Sequence, residues 1–121
     1  MVHTANMKPD HPLPVVFYKS DAGKEPVRIW LKKLSSEDRK IIGEDIKTLQ
    51  YGWPLGMPLV KSLDTGLWEV RSNLRNRIAR VIFTIYEHHI VLLHGFIKKS
   101  KKTPTKDLTL AKQRMSKFNK G

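Results

Sequence analysis

Four lysines within five residues, Lys98, Lys99, Lys101 and Lys102, close the apolar run HIVLLHGFI. Upstream, Arg71 and Arg80 sit in two neighbouring β-prone stretches, LWEVRS and RIARVIFTIY. A solvated loop needs no such density of like charge, and at this spacing the charges repel one another. Guanidinium forks match phosphate oxygens, arginine keeps its charge at neutral pH, and ammonium groups add to the same field. The chemistry these types can do is to bind a polyanion and neutralise negative charge on it. Other chemistries lack their residues. There is no cysteine, hence no disulfide or thiolate metal site. No Gly-rich phosphate loop and no nucleophile motif occurs, and His88–His89 reads as a turn rather than a ligand pair. Nothing in the sequence calls for a metal or another cofactor.

The charge is one-sided. Residues 1–59 carry nine Lys/Arg and seven Asp/Glu, whereas residues 60–121 carry fourteen and four. The overall +12 therefore lies almost entirely in the second half. Solubility alone explains a net charge but not its confinement, and a field of this kind favours nucleic acid first among polyanions. At 121 residues the chain reads as a single domain, residues 15–121, preceded by a flexible arm, residues 1–14. Its longest apolar run is far short of the roughly 20 residues of a membrane span. The N-terminus lacks a signal-peptide pattern, so a cytoplasmic protein with no membrane partner is expected.

Elements must hold the cations in place. VVFYKS reads as a short strand closed by Asp21–Gly23. Val27, Trp30, Leu31 and Leu34 recur at helical spacing, with Pro26 in the first turn. Ser35 or Ser36 caps a second helix whose stripe is Ile41, Ile42, Ile46 and Leu49, with Gly52 as its stop. GWPLGMPLVKSLDTG reads as a turn-rich connector. The period then shortens to two for three strands joined at SNLRN and EHH, and a helix from Leu108 to about Phe118 ends the chain. The expected fold is α+β, in the order β-α-α-β-β-β-α, with helices on one face of a mostly antiparallel sheet.

Strand parity places the charge. If Ala79, Val81, Phe83 and Ile85 face the helices, Trp68 and Val70 must join them. Arg71 and Arg80 then project together from the opposite face, with Glu69 and Tyr86 along the same surface. Like charges side by side on a sheet cost up to about 1 kcal/mol. Two readings of the trio stay open: a Glu69–arginine salt bridge on a solvated face, or a cationic platform for phosphate.

The segments LWEVR, RIARVIF and HGFIKKSKKTP, followed by the A-x-x-R of Ala111 and Arg114, resemble the RelE/ParE toxins of type II toxin–antitoxin systems. The likeness is closest to the phage-derived Gp49-like, HigB-type branch and covers about residues 14–115. It implies the RelE-like microdomain and, for many members, an mRNA interferase. Such an enzyme is a ribosome-dependent endoribonuclease in which the ribose 2′-hydroxyl attacks the adjacent phosphate. By position, Arg80 matches the central catalytic arginine, Arg71 a strand cation, and Lys98 or Lys99 a second cation after the last strand. Tyr86 and His94 are the nearest candidates for a general base, and His94 also reads as a core residue. Arg75, Arg77, Lys101, Lys102 and His94 complete an RNA-binding set. Glu69 departs from relatives that carry another basic residue there, and no Tyr or His stands clearly in the C-terminal segment.

The implied chemistry needs neither metal nor cofactor: in-line placement of the 2′-oxygen, and neutralisation of the pentacoordinate phosphorus by Arg71, Arg80 and a lysine. The resemblance also implies a helix-turn-helix antitoxin, a toxin–antitoxin heterotetramer, and the ribosome and mRNA as partners. Any of Trp30, Trp53 and Trp68 left exposed would be an interface anchor. Two other functions share the same cations: a ParE-like toxin inhibiting DNA gyrase, and a non-catalytic nucleic-acid-binding module. On the leading reading, Arg80→Ala is expected to abolish toxicity and leave the fold intact.

Overall fold

The computed structural model describes residues 11–98 and 103–120. Lys99, Lys101, Lys102 and the first ten residues of the expected arm lie outside them. The order is β1 (Val15–Phe17), α1 (Pro26–Lys32), α2 (Ser36–Gly52), β2 (Val60–Asp64), β3 (Leu67–Leu74), β4 (Arg77–Tyr86), β5 (His89–Lys98) and α3 (Thr105–Lys120). The sheet runs β1-β5-β4-β3-β2, with β1 parallel to β5 and the remaining pairs antiparallel. Leu13 is held to α2 by bonds in both directions with Gln50, and Pro14 accepts from the Ile90 amide.

The α+β class stands, with one strand more than the sequence order anticipates. The connector GWPLGMPLVKSLDTG contains β2, whose Val60 pairs with Val70 and Lys61 with Glu69. Its Gly- and Pro-rich flanks hide a five-residue edge strand that draws its order from β3 rather than from its own pattern. Ser35 caps α2 by accepting from the Asp38 amide at 3.1 Å. Two-residue turns join β3 to β4 at Arg75–Asn76 and β4 to β5 at Glu87–His88, where Asn76, Glu87 and His88 adopt positive φ.

Two apolar layers form, one on each face. Val27, Ile42, Ile46 and Leu49 of α1 and α2 pack on Val70, Ala79, Val81, Phe83 and Leu92. Trp30, Trp53 and Trp68 join this layer, each half-buried. The expectation of helices on one face holds for α1 and α2 and is corrected for α3. Its stripe of Leu108, Ala111, Met115 and Phe118 lies on the opposite face, against Leu67, Ile82, Val91 and Leu93. A sparse stripe needs an apolar floor, and the even-numbered side of β4 supplies one at Ile82.

The strand phase is the expected one. Val70 pairs with Val81 and Trp68 with Phe83, while Arg71 pairs directly with Arg80. A bulge between Ile82 and Phe83 leaves Leu93 between the paired residues Leu92 and His94. On the first face, α1 lies close to the sheet at Gly95, where an added Cβ would fall under 3.0 Å from three ring carbons of Trp30. Gly95→Ala is therefore expected to cost about 1–3 kcal/mol through displacement of the indole. Urea unfolding checks this. Adding Trp30→Leu should recover part of the loss, and an unchanged midpoint for Gly95→Ala would contradict it.

Candidate functional site

The arginine pair sits at the Arg75–Asn76 end of the sheet, on the face that α3 partly covers. Cross-strand register sets Arg71 of β3 opposite Arg80 of β4, and Arg80 opposite Phe96 of β5. Lys98 lies diagonally beyond Phe96, opposite Ile78. Glu69, two residues before Arg71 and so on the same face, places Oε1 3.8 Å from Arg71 Nε and 3.8 Å from Arg80 Nη1. Its Oε2 accepts from the Thr103 hydroxyl at 2.7 Å.

Burial separates the members of this group. Glu69 and Arg80 have side-chain exposures of 0%, whereas Arg71 keeps 16%. The open platform expected from parity is thus only partly open: Arg71 reaches the surface and Arg80 lies beneath it. Burial is the main influence on Arg80 and pulls its pKa down, Glu69 opposes this, and Arg71 adds to it. A guanidinium still stays charged at neutral pH. The solvated salt bridge considered from sequence is replaced by an enclosed carboxylate between two cations.

His94 belongs to a second cluster on the same face. Its Nε2 lies 2.6 Å from Asp107 Oδ1, and Arg114 Nη1 lies 3.4 Å from its Nδ1. Arginine can only donate, so Nδ1 accepts and Nε2–H donates to Asp107. Both ring nitrogens therefore face protein groups. Arg114 also donates to the carbonyl of Leu93, the bulge residue, at 2.8 Å and lies over the Tyr18 ring. Burial lowers its pKa, with Tyr18 opposing. The His94 ring stacks on Phe96, with centroids 5.4 Å apart. His94 here ties α3 to β5 and stacks on Phe96, the register partner of Arg80.

Three expected site residues are not brought to this place. Tyr86 lies at the far end of β4, six residues from Arg80, or about 20 Å along the strand. Its ring meets Phe118 edge to face. Arg77 shares the parity of Ala79, so its guanidinium lies on the α1–α2 side and donates to Asp38 Oδ2 at 2.7 Å. Arg75 is exposed in the β3–β4 turn. Sequence reading did not single out Thr103, Asp107 or Arg114 for the site. The spacing Asp107, Ala111, Arg114 lies along one helical face and carried a usable signal. Among the described residues, no group of three His, Asp or Glu is placed to hold a metal ion.

Exposed ion pairs pin α3 to the rest of the domain: Lys112 to Asp64 at 2.6 Å and Lys117 to Asp21 at 2.9 Å. Hydrogen bonding from Lys117 holds the Asp21 carboxyl below the usual range. Lys112, with the Thr65 amide, does the same for Asp64. A depressed carboxylate contributes stability above its unfolded pKa, about 3.9, and loses it as pH falls through the folded value. The α3 amides are thus expected to exchange at a steady corrected rate from pH 8 to about 5. Below about 4 their protection should weaken, the more so in low salt. Loosening at the alkaline end instead would contradict these anchors.

Residues 29–116 match the model of a family described as "Phage derived protein Gp49-like". No curated protein matches the chain. Among the described residues, no helix is long and apolar enough to cross a membrane.

Proposed function

We propose, from the premise that this chain belongs to the Gp49-like family of phage-derived, RelE/HigB-type toxins, that it is a ribosome-dependent mRNA endonuclease. Toxin-family membership brings an antitoxin partner with it. The finer parts of the reading are the cleavage reaction, the ribosome as its setting, a helix-turn-helix antitoxin and a heterotetrameric complex. The observation that carries it is the direct cross-strand pairing of Arg71 with Arg80 around an enclosed Glu69. Two facing arginines repel each other in isolation, and a bound phosphate relieves that repulsion.

The reaction is transesterification. The ribose 2′-hydroxyl gives its proton to water and its oxygen attacks the adjacent phosphorus; the P–O5′ bond breaks, the departing 5′-oxygen takes a proton from water, and a 2′,3′-cyclic phosphate and a 5′-hydroxyl result. Arg71 and Lys98, the partly exposed cations, meet the non-bridging oxygens. Arg80 acts from beneath, where little water screens its charge as the pentacoordinate phosphorus gains negative charge. Neither His94 nor Tyr86 presents a free group beside the arginines, so the rate rests on electrostatics and on in-line positioning of mRNA by the ribosome. Phe96, braced by His94, offers a ring for a base to stack on. Lys99, Lys101 and Lys102 extend the positive field in sequence, and Arg75 adds to it from the neighbouring turn.

Induction in a bacterial host tests the reading. Ribosome-associated transcripts should be cut within minutes and before any DNA-damage response. Damage first, with intact mRNA, would transfer the chain to the gyrase-directed class. Steeply salt-dependent RNA binding without cleavage would make it a binding module.

A further inference from the structure

We propose that Glu69 is a positioning residue, a buried carboxylate that aims the Arg71–Arg80 pair and, through Thr103, locks the chain entering α3 to that pair. The inference rests on the reading that this face cleaves ribosome-bound mRNA, and it reverses the apparent meaning of an acid in an RNA site. An acidic group on a phosphate-binding surface ordinarily repels substrate. Glu69 is fully enclosed, and its Oε1 stands at the same 3.8 Å from both guanidinium groups. Two facing cations would otherwise swing apart. A carboxylate between them converts their repulsion into a bridged arrangement with one preferred geometry. Enclosure also rules out proton abstraction from RNA by this carboxylate in the same geometry.

The second oxygen extends the arrangement. Oε2 accepts from Thr103 at 2.7 Å, across a sequence separation of 34 residues. Thr103 lies two residues before α3, and Asp107 in the first turn of that helix takes His94. Glu69 thus couples the arginine pair to the same end of α3 that orients His94 and, by stacking, Phe96. Cation pair, stacking ring and helix entrance become one rigid unit, as a site held to sub-ångström tolerance requires.

The test uses the full-length chain on mRNA-programmed ribosomes, with Glu69→Gln and Thr103→Val. Glutamine keeps the shape and an acceptor for Thr103, removes the charge, and sets an NH2 donor where Oε1 faces the guanidinium groups. Glu69→Gln is expected to lower kcat on the order of a hundredfold, with KM unchanged or lower because the face gains net positive charge. Thr103→Val should lower kcat about tenfold through the same displacement. Restoring the charge one methylene shorter, in Glu69→Asp, should recover part of the loss. A merely structural role would lower activity only in step with the folded fraction, followed by thermal melts, and would leave no split between kcat and KM. Cleavage by Glu69→Gln or Thr103→Val as fast as wild type, or faster, overturns the proposal. If Glu69→Gln fails to fold, Thr103→Val decides by the same criterion. Wild-type protein that cuts nothing defeats the nuclease reading instead. Positioning is then read from the Nε–H resonances of Arg71 and Arg80, which must move in both variants and whose constancy would overturn it.

Discussion

Arg80→Lys is expected to slow cleavage of ribosome-bound mRNA by on the order of a hundredfold, the loss that misplacing a catalytic contact by about 1 Å can bring. Lysine preserves the charge, so a loss reports geometry and delocalisation. Its point charge cannot span the distance between Glu69 and the phosphate side as a planar fork does. Arg80→Ala is the less informative variant. Sequence reading expects it to leave the fold intact, but Arg80 is fully enclosed beside an equally enclosed Glu69. Removing one partner of a buried ion pair commonly costs about 3–5 kcal/mol. Alanine therefore confounds instability with lost chemistry. Lysine, with a melt to confirm the folded state, separates them. A folded Arg80→Lys that cuts at the wild-type rate would remove Arg80 from the site.

Phe83→Ala is expected to lose about 3–5 kcal/mol of stability. Phe83 is fully buried and pairs across the sheet with Trp68 on one side and Leu92 on the other. Its ring stacks near Trp68 at 5.9 Å and meets Trp53 edge to face at 5.6 Å, and the two indoles lie 4.8 Å apart. The three rings join the C-terminal end of α2 to the centre of the sheet. Truncation removes the central ring and leaves a cavity that two indoles cannot both fill. Chemical denaturation should show the loss with little change in the dependence on denaturant. An effect below about 1 kcal/mol would mean that the cluster collapses around the gap. The same cluster shows that Trp53 and Trp68 serve the interior.

The outcome of reading the sequence differs from element to element for identifiable reasons. In β3 and β4 the apolar set is uniform on one face, so a single assumption about which side the helices cover fixes every side chain, Arg71 against Arg80 included. Arg77 was within reach of the same rule, since its odd number places it with Ala79 and Val81, toward Asp38 and away from the site. Parity assigns a face and says nothing about depth. The burial of Arg80 depends on what lies over that face. The sparse stripe of Leu108, Ala111, Met115 and Phe118 was the visible sign that α3 needed a sheet floor of its own. Strand β2 escaped because an edge strand between Pro58 and Gly66 has weak local pattern and takes its order from a neighbour. The contacts of Glu69 with Thr103 and of His94 with Asp107 join residues distant in sequence through the angle at which α3 crosses, which no local periodicity encodes.

The most direct measurement places end-labelled mRNA on ribosomes with purified protein, in parallel with the same message carrying a single 2′-deoxynucleotide at the cut position. Cleavage of the all-ribose message to a 2′,3′-cyclic phosphate and a 5′-hydroxyl is expected, with none at the deoxy position and about a hundredfold slower cutting by folded Arg80→Lys. An all-ribose message left whole by the wild-type protein, or cut regardless of the 2′-hydroxyl, would contradict the account.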